Sequence, residues 1–332
     1  MEFLCDLIKD WSTRVWVISE YHIAKTKNNL KYWFIALSSD ELWRSSFFKF
    51  DFTNPAFSSA IKDITYSYLT LIHNPNTPVH LCFHDLIIDQ LTTKTFLEMI
   101  LNSKASKNED RFYAVLPLSK YKDKVDQVAD WKINTMTSVK LKLYEIMDTK
   151  DKLLLLFSGG QWRSMKICEG LPTFATSLIT GFPIDTLGYP CNFDLTNECT
   201  IQLRQDAAHA PPLHYLHLSP AEYYVKRKPY KDQNASALYG LKQIIGSLLQ
   251  LDACRSTVDI VYINYFPEKI REPSTFEESK KDLNTPDYSI DLIGSFKENK
   301  WIVGNGFILS AFGRSVCDYY ENSDHDIFFN IY

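Results

Sequence analysis

Three residues are spaced so that they could do chemistry: His84, Asp85 and Asp89 in the stretch HLCFHDLIIDQ. A short apolar run ends on His84, and Leu86, Ile87 and Ile88 separate the two carboxylates. An imidazole with its ordinary pKa of about 6.5 is the natural general base at neutral pH. A carboxylate beside it can hold the ring or position the loop. The same residues also fit a polar strand end with no chemical role.

The neighbouring elements would have to present that turn. Residues 73–78, HNPNTP, have the Asn and Pro content of a turn. VHLCFHD then alternates: Val79, Leu81 and Phe83 face one way, and His80, Cys82 and His84 the other. Leu91 to Ser103 reads as a helix that buries Phe96, Leu97, Ile100 and Leu101. Upstream lies Phe50-Asp51-Phe52-Thr53-Asn54-Pro55-Ala56-Phe57, followed by a largely apolar segment.

This order resembles the CoA- and carrier-dependent acyltransferases, which include peptide condensation domains, plant acyltransferases and fungal alcohol O-acetyltransferases. Their signature is HHxxxDG at a strand exit, preceded by a segment like FDLxxxP and followed by a helix. His84 falls on the first His and Asp89 on the Asp, in register. Asp85 stands where the second His would be, Gln90 stands where the Gly would be, and no DFGWG-type motif follows. The second half adds a topological likeness through LHLSPAEYY, a helix at 235–251 and TVDIVYINYFP.

The resemblance implies an α+β fold: two chloramphenicol-acetyltransferase-like mixed-sheet sandwiches forming a V with a tunnel between them. The expected subdomains are 1–160, carrying the HDLIIDQ turn, and 161–332. An acyl-CoA would be the co-substrate, with no cofactor held permanently, and a small alcohol or amine would accept the acyl group. Asp89 would be structural, pairing with Arg163, Arg204 or Arg227. In the family the second His is the base. An ordinary carboxylate, with a pKa of about 4, is a poor substitute unless burial raises it. Three readings therefore stand: His84 takes over as base, Asp85 acts with a raised pKa, or the fold is kept for binding. The first is carried forward, as an acyltransferase of secondary-metabolism type. A further reading is an enzyme of another fold that uses a different activated acyl donor, such as an aminoacyl group.

Composition narrows the field. In 332 residues, 45% are apolar and 23% charged, as in ordinary globular chains. The net charge of −4 and the lack of a basic stripe argue against nucleic acid as a partner. The start, MEFLCDLIKDW, lacks a signal peptide's pattern, and no apolar run of about 20 residues predicts a transmembrane helix. Seven scattered cysteines with no CxxC pair read as reduced thiols, so a cytoplasmic location is expected.

Further elements follow from pattern. WVISEYHIA and YWFIALS are strand candidates, as is DKLLLLFSGG. Residues 103–111 read as a polar loop, and about 124–147 as a helix. LHYLHLS, TVDIVYINYFP, Tyr288–Phe296 and Lys300–Ser310 read as strands, and SPAEYY as a helix start capped by Ser219. Gly304-Asn305-Gly306 reads as a hairpin turn.

Other constellations carry less. His80, Cys82 and His84 share a strand face, but three consecutive ligands splay apart, so no metal is expected. His214 and His217, three apart in a strand, point to opposite faces. Ser158-Gly159-Gly160 lacks a phosphate-loop Lys, and no GxSxG is present. His209 reads as a solvent-facing loop residue, and Asp324-His325-Asp326 as the polar entry to an apolar strand that docks at the chain end.

Overall fold

Helix α1, Val15–Thr26, begins without a side-chain cap. A backbone exchange takes the cap's place: Val15 N donates to Lys104 O at 2.9 Å, and Lys104 N to Thr13 O at 2.8 Å. The computed structural model describes residues 6, 10–29, 31–36, 44–49, 95–158, 171–176, 191–207, 212–226, 249, 259–267, 289–304, 317–322 and 326–332. The chain forms two compact units, Met1–Asn134 and Thr135–Tyr332.

In the first unit, α1 packs with α2, Phe96–Asn102, and α3, Asn108–Val115. Thr95 and Glu98 form a reciprocal capping box at the start of α2, with bonds of 3.2 and 2.7 Å. The buried Arg111 closes the other end by donating to Ile100 O at 2.9 Å and to Ser103 O. Strands β1, Lys31–Ala36, and β2, Arg44–Lys49, pair antiparallel.

The second unit is built on one mixed sheet of eight strands. They are β3 Ile201–Asp206, β4 Leu213–Leu218, β5 Glu222–Lys226, β6 Asp259–Asn264, β7 Ser289–Ser295, β8 Lys300–Gly304, β9 Cys317–Glu321 and β10 Phe329–Ile331. The order is β3-β4-β10-β8-β7-β6-β5-β9. Strand β10 runs parallel to β8 and antiparallel to β4. Helices α4, Met136–Ile146, and α5, Thr149–Ser158, pack on β3, and α6, Thr173–Thr176, packs on β8. The expected boundary at 160/161 would have placed α4 and α5 in the first subdomain; here they group with the sheet.

The sheet is strongly coiled, and chain length requires it. Strands β10, β8, β7 and β6 lie between β4 and β5, yet only Ser219–Ala221 connect those two. Five inter-strand steps of about 4.8 Å would set them about 24 Å apart in a flat sheet. A four-bond link of fully extended chain reaches only about 14 Å. Coiling brings Tyr223 of β5 to within 5.3 Å of Phe329 of β10, ring centroid to centroid. The buried Trp301 joins this aromatic cluster, and the exposed Phe296 lies against its rim, 4.9 Å from Trp301.

Two buried asparagines pin the corner. Asn192 donates from Nδ2 to Glu222 O at 2.9 Å and Asn264 O at 2.8 Å, and its Oδ1 accepts from Glu222 N at 2.8 Å. Asn322 donates to Pro220 O at 2.9 Å and Ile327 O at 2.8 Å. Thr173 fixes the last strand: its N and Oγ1 both donate to Tyr332 O, and its Oγ1 accepts from Val303 N at 3.0 Å.

Several expectations from sequence need correction. WVISEYHIA lies wholly in α1 rather than a strand: burial of Val15, Ile18 and Tyr21 with exposed Trp16 and Glu20 follows a helical face. DKLLLLFS is α5, started by Asp148, whose Oδ1 accepts from Asp151 N at 3.0 Å. Leucine is a strong helix former, and an apolar run alone does not separate buried helix from buried strand. SPAEYY does not start a helix; Glu222–Lys226 is a strand because Tyr223 and Tyr224 find cross-strand partners in Tyr320 and Tyr319. Helix α3 begins inside the expected loop at 103–111. The expected helix over 124–147 is a 3-10 segment, Lys122–Asp130, followed by α4.

Strands β4, β6, β7 and β8 occur where the sequence places them. The β7–β8 turn is Phe296–Asn299, with Asn299 at φ 47°. The turn expected at Gly304-Asn305-Gly306 and the helix expected at 235–251 fall outside the described residues, Gly304 and Leu249 apart. No helix among the described residues is long and apolar enough to cross a membrane.

Candidate functional site

His84, Asp85 and Asp89 lie outside the described residues, as do His80, Cys82, Arg163, His209 and Arg227. Of the three arginines considered as partners for Asp89, Arg204 alone is described. It is exposed on β3 and forks onto Gln202, with Nε at 3.1 Å and Nη2 at 2.7 Å from Oε1.

That fork belongs to a polar face built by β3, β4 and β10. Register sets Gln202 opposite His217, and His217 opposite Asn330, so the three side chains form one row. Arg204 opposite Tyr215 forms the next row. Residues two apart on a strand share a face, which places both rows on the same side of the sheet. The opposite side carries Ile201, Leu216, Leu218, Phe329 and Ile331, all buried.

His217 is held on two sides. Its Nδ1 lies 3.2 Å from Asn330 Oδ1, and the Phe328 ring sits 4.2 Å from the imidazole, centroid to centroid. An amide oxygen only accepts, so Nδ1 carries the proton and Nε2 presents a lone pair. Burial holds the imidazole's pKa below its ordinary value; the Asn330 bond opposes this, and the Arg204 charge adds to it. His217 is therefore neutral at neutral pH. Gln202 also reaches Cys199, with Nε2 3.4 Å from Sγ. Tyr332 stacks on Tyr215 at 5.2 Å. Its hydroxyl is pushed up to about 12, chiefly by burial and then by Asp206, to which it hydrogen-bonds.

His214 lies on the other side of β4, as its spacing from His217 implies, with Nε2 2.8 Å from Gln205 Nε2. Among the described residues no group of three or more His, Cys, Asp or Glu side chains is placed to hold a metal ion. Sequence reasoning treated His217 only as half of an improbable metal pair. The alternation of LHYLHL shows its face, but Asn330 of β10 and Phe328 just before it lie more than 100 residues later and leave no local signal.

No family model matches the sequence, and no curated protein or solved structure matches it.

Proposed function

We propose that the chain transfers an acyl group from a CoA-type thioester to a small alcohol or amine, with His84 as general base. The observation that carries this reading is the register of the 50–90 segment. Phe50-Asp51-Phe52 and Pro55 come first, then an alternating apolar pattern in the sequence, then His84 and Asp89 at the spacing of the acyltransferase signature. The mixed α+β class of the second unit supports it at the level of fold class only. The finer architecture belongs to the same proposal: two chloramphenicol-acetyltransferase-like sandwiches with the substrate tunnel between them, in a cytoplasmic enzyme.

In this mechanism His84 removes the proton of the acceptor as its oxygen or nitrogen attacks the thioester carbonyl. The tetrahedral intermediate collapses, the carbon–sulfur bond breaks, and CoA leaves as a thiolate that takes the proton. Asp89 holds the turn. Asp85 and Gln90, where the signature has His and Gly, favour a second reading in which the fold is retained for binding or assembly.

The test is thiol release from acetyl-CoA and longer acyl-CoAs against a panel of alcohols and amines. Wild type should turn over, and His84→Ala should lose about 10²–10⁴-fold. Loss confined to Asp85→Ala would move the base to that carboxylate. A folded protein inert with every donor would overturn acyl transfer from CoA.

A further inference from the structure

We infer that the outer face of β3, β4 and β10 is a binding site for a small hydroxy acid, with Arg204 taking the carboxylate and His217 Nε2 accepting the hydroxyl proton. This inference is independent of acyl transfer and of His84.

Both Arg204 and His217 retain unused hydrogen-bonding capacity on this face. Asn330 occupies His217 Nδ1 and Phe328 covers part of the ring. No hydrogen bond reaches Nε2 among the described residues. A neutral imidazole in this tautomer can accept one hydrogen bond there. Arg204 spends two of its five donors on Gln202 Oε1, which fixes the plane of the guanidinium. Among the described residues it forms no ion pair. Asp206, the acid next along this side of β3, is engaged by the Tyr332 hydroxyl.

The chemistry of the two groups then selects the ligand class. Arg204 and His217 are diagonal neighbours across the β3–β4 pair, since Arg204 opposes Tyr215 and Gln202 opposes His217. Diagonal positions lie about 7–8 Å apart at the backbone, so one small ligand can lie between the two side chains. A molecule that carries both a hydroxyl and a carboxylate matches the acceptor of the one and the charge of the other. A carboxylate alone satisfies Arg204 and leaves Nε2 unused; an alcohol alone has no charge for Arg204. Asn330, held from the side by Asn299 Oδ1 at 3.3 Å from its backbone N, keeps the imidazole from turning away.

The experiment is histidine-ring NMR on the full chain, labelled at histidine and titrated with lactate, acetate or ethanol. The His217 signal is assigned by its loss in His217→Gln. The expected result is a saturable shift of that signal with lactate and a weaker response to acetate or ethanol. Arg204→Gln should raise the lactate Kd about tenfold or more, the cost of one charge-assisted contact. Asn330→Ala should weaken binding with the sheet intact by circular dichroism. Absence of a saturable lactate shift overturns the inference. So does an equal response to acetate, or unchanged binding in Arg204→Gln.

Discussion

Strands β6, β7 and β8 and strands β3, β4 and β10 belong to one sheet but live in different surroundings. In DIVYIN, SIDLIGS and KWIVG, neighbouring residues are buried on both faces: Ile260 with Val261, Leu292 with Ile293, Ile302 with Val303. In IQLRQD and LHYLHL, one face holds the buried Ile201, Leu216 and Leu218, and the other carries Gln202, Arg204, Tyr215 and His217, none of them buried. Continuous apolar strands spend both faces on packing and leave no room for chemistry. Alternating strands keep one wet face, and here it holds the row of Gln202, His217 and Asn330 beside Arg204.

The contrast can be broken most severely at the centre. Trp301→Ala empties the largest fully buried side chain among the described residues and should cost about 3–5 kcal/mol in urea unfolding. Gly294→Ala should follow at about 3 kcal/mol. Its new Cβ would stand 2.0 Å from Lys300 O and 2.8 Å from Trp301 Cα, both backbone atoms that cannot swing aside. Asn192→Ala strips three buried hydrogen bonds from the β4–β5 corner and should cost about 2–3 kcal/mol.

Lys140, buried on α4, should act in the opposite direction. Burial pushes its pKa down to about 8 from an ordinary 10.5. Below pH 8 the lysine is charged in both states and the folded chain bears the full cost of burying it. Between about 8 and 10.5 the unfolded chain holds a proton that the folded chain has released, so stability rises with pH. Lys140→Met should raise stability by about 1–3 kcal/mol at pH 7 and flatten that rise in pH-dependent thermal melts. On the wet face, Gln202→Ala should change stability by no more than about 0.5 kcal/mol, measured the same way. A large loss there would show that the polar row is a packing element, and would erase the contrast.

What could be read from sequence follows the same line. Strands β6 and β7 announce themselves by β-branched and aromatic density, and β4 by its alternation. The errors fall where local pattern has two solutions and distant contacts choose. Val15–Thr26 is rich in β-branched residues yet is helical because its buried face meets α3. Ser219 and Pro220 look like a helix start, but Asn192 and Asn322 seize the backbone on either side of Ala221. The candidate site divides similarly. The alternation of LHYLHL reveals that His217 leaves the core. Asn330, which fixes its tautomer, is paired to it only by the order of strands in the sheet.

That order has a consequence for synthesis. Residues 329–331 fill the slot between β4 and β8, so the β3–β4 hairpin has no partner on that side until the ribosome has made them. An unpaired strand flank waiting for more than 100 residues of translation is a template for wrong pairing. The nascent chain's safety then depends on how quickly β10 threads in, a distant and therefore slow contact to form.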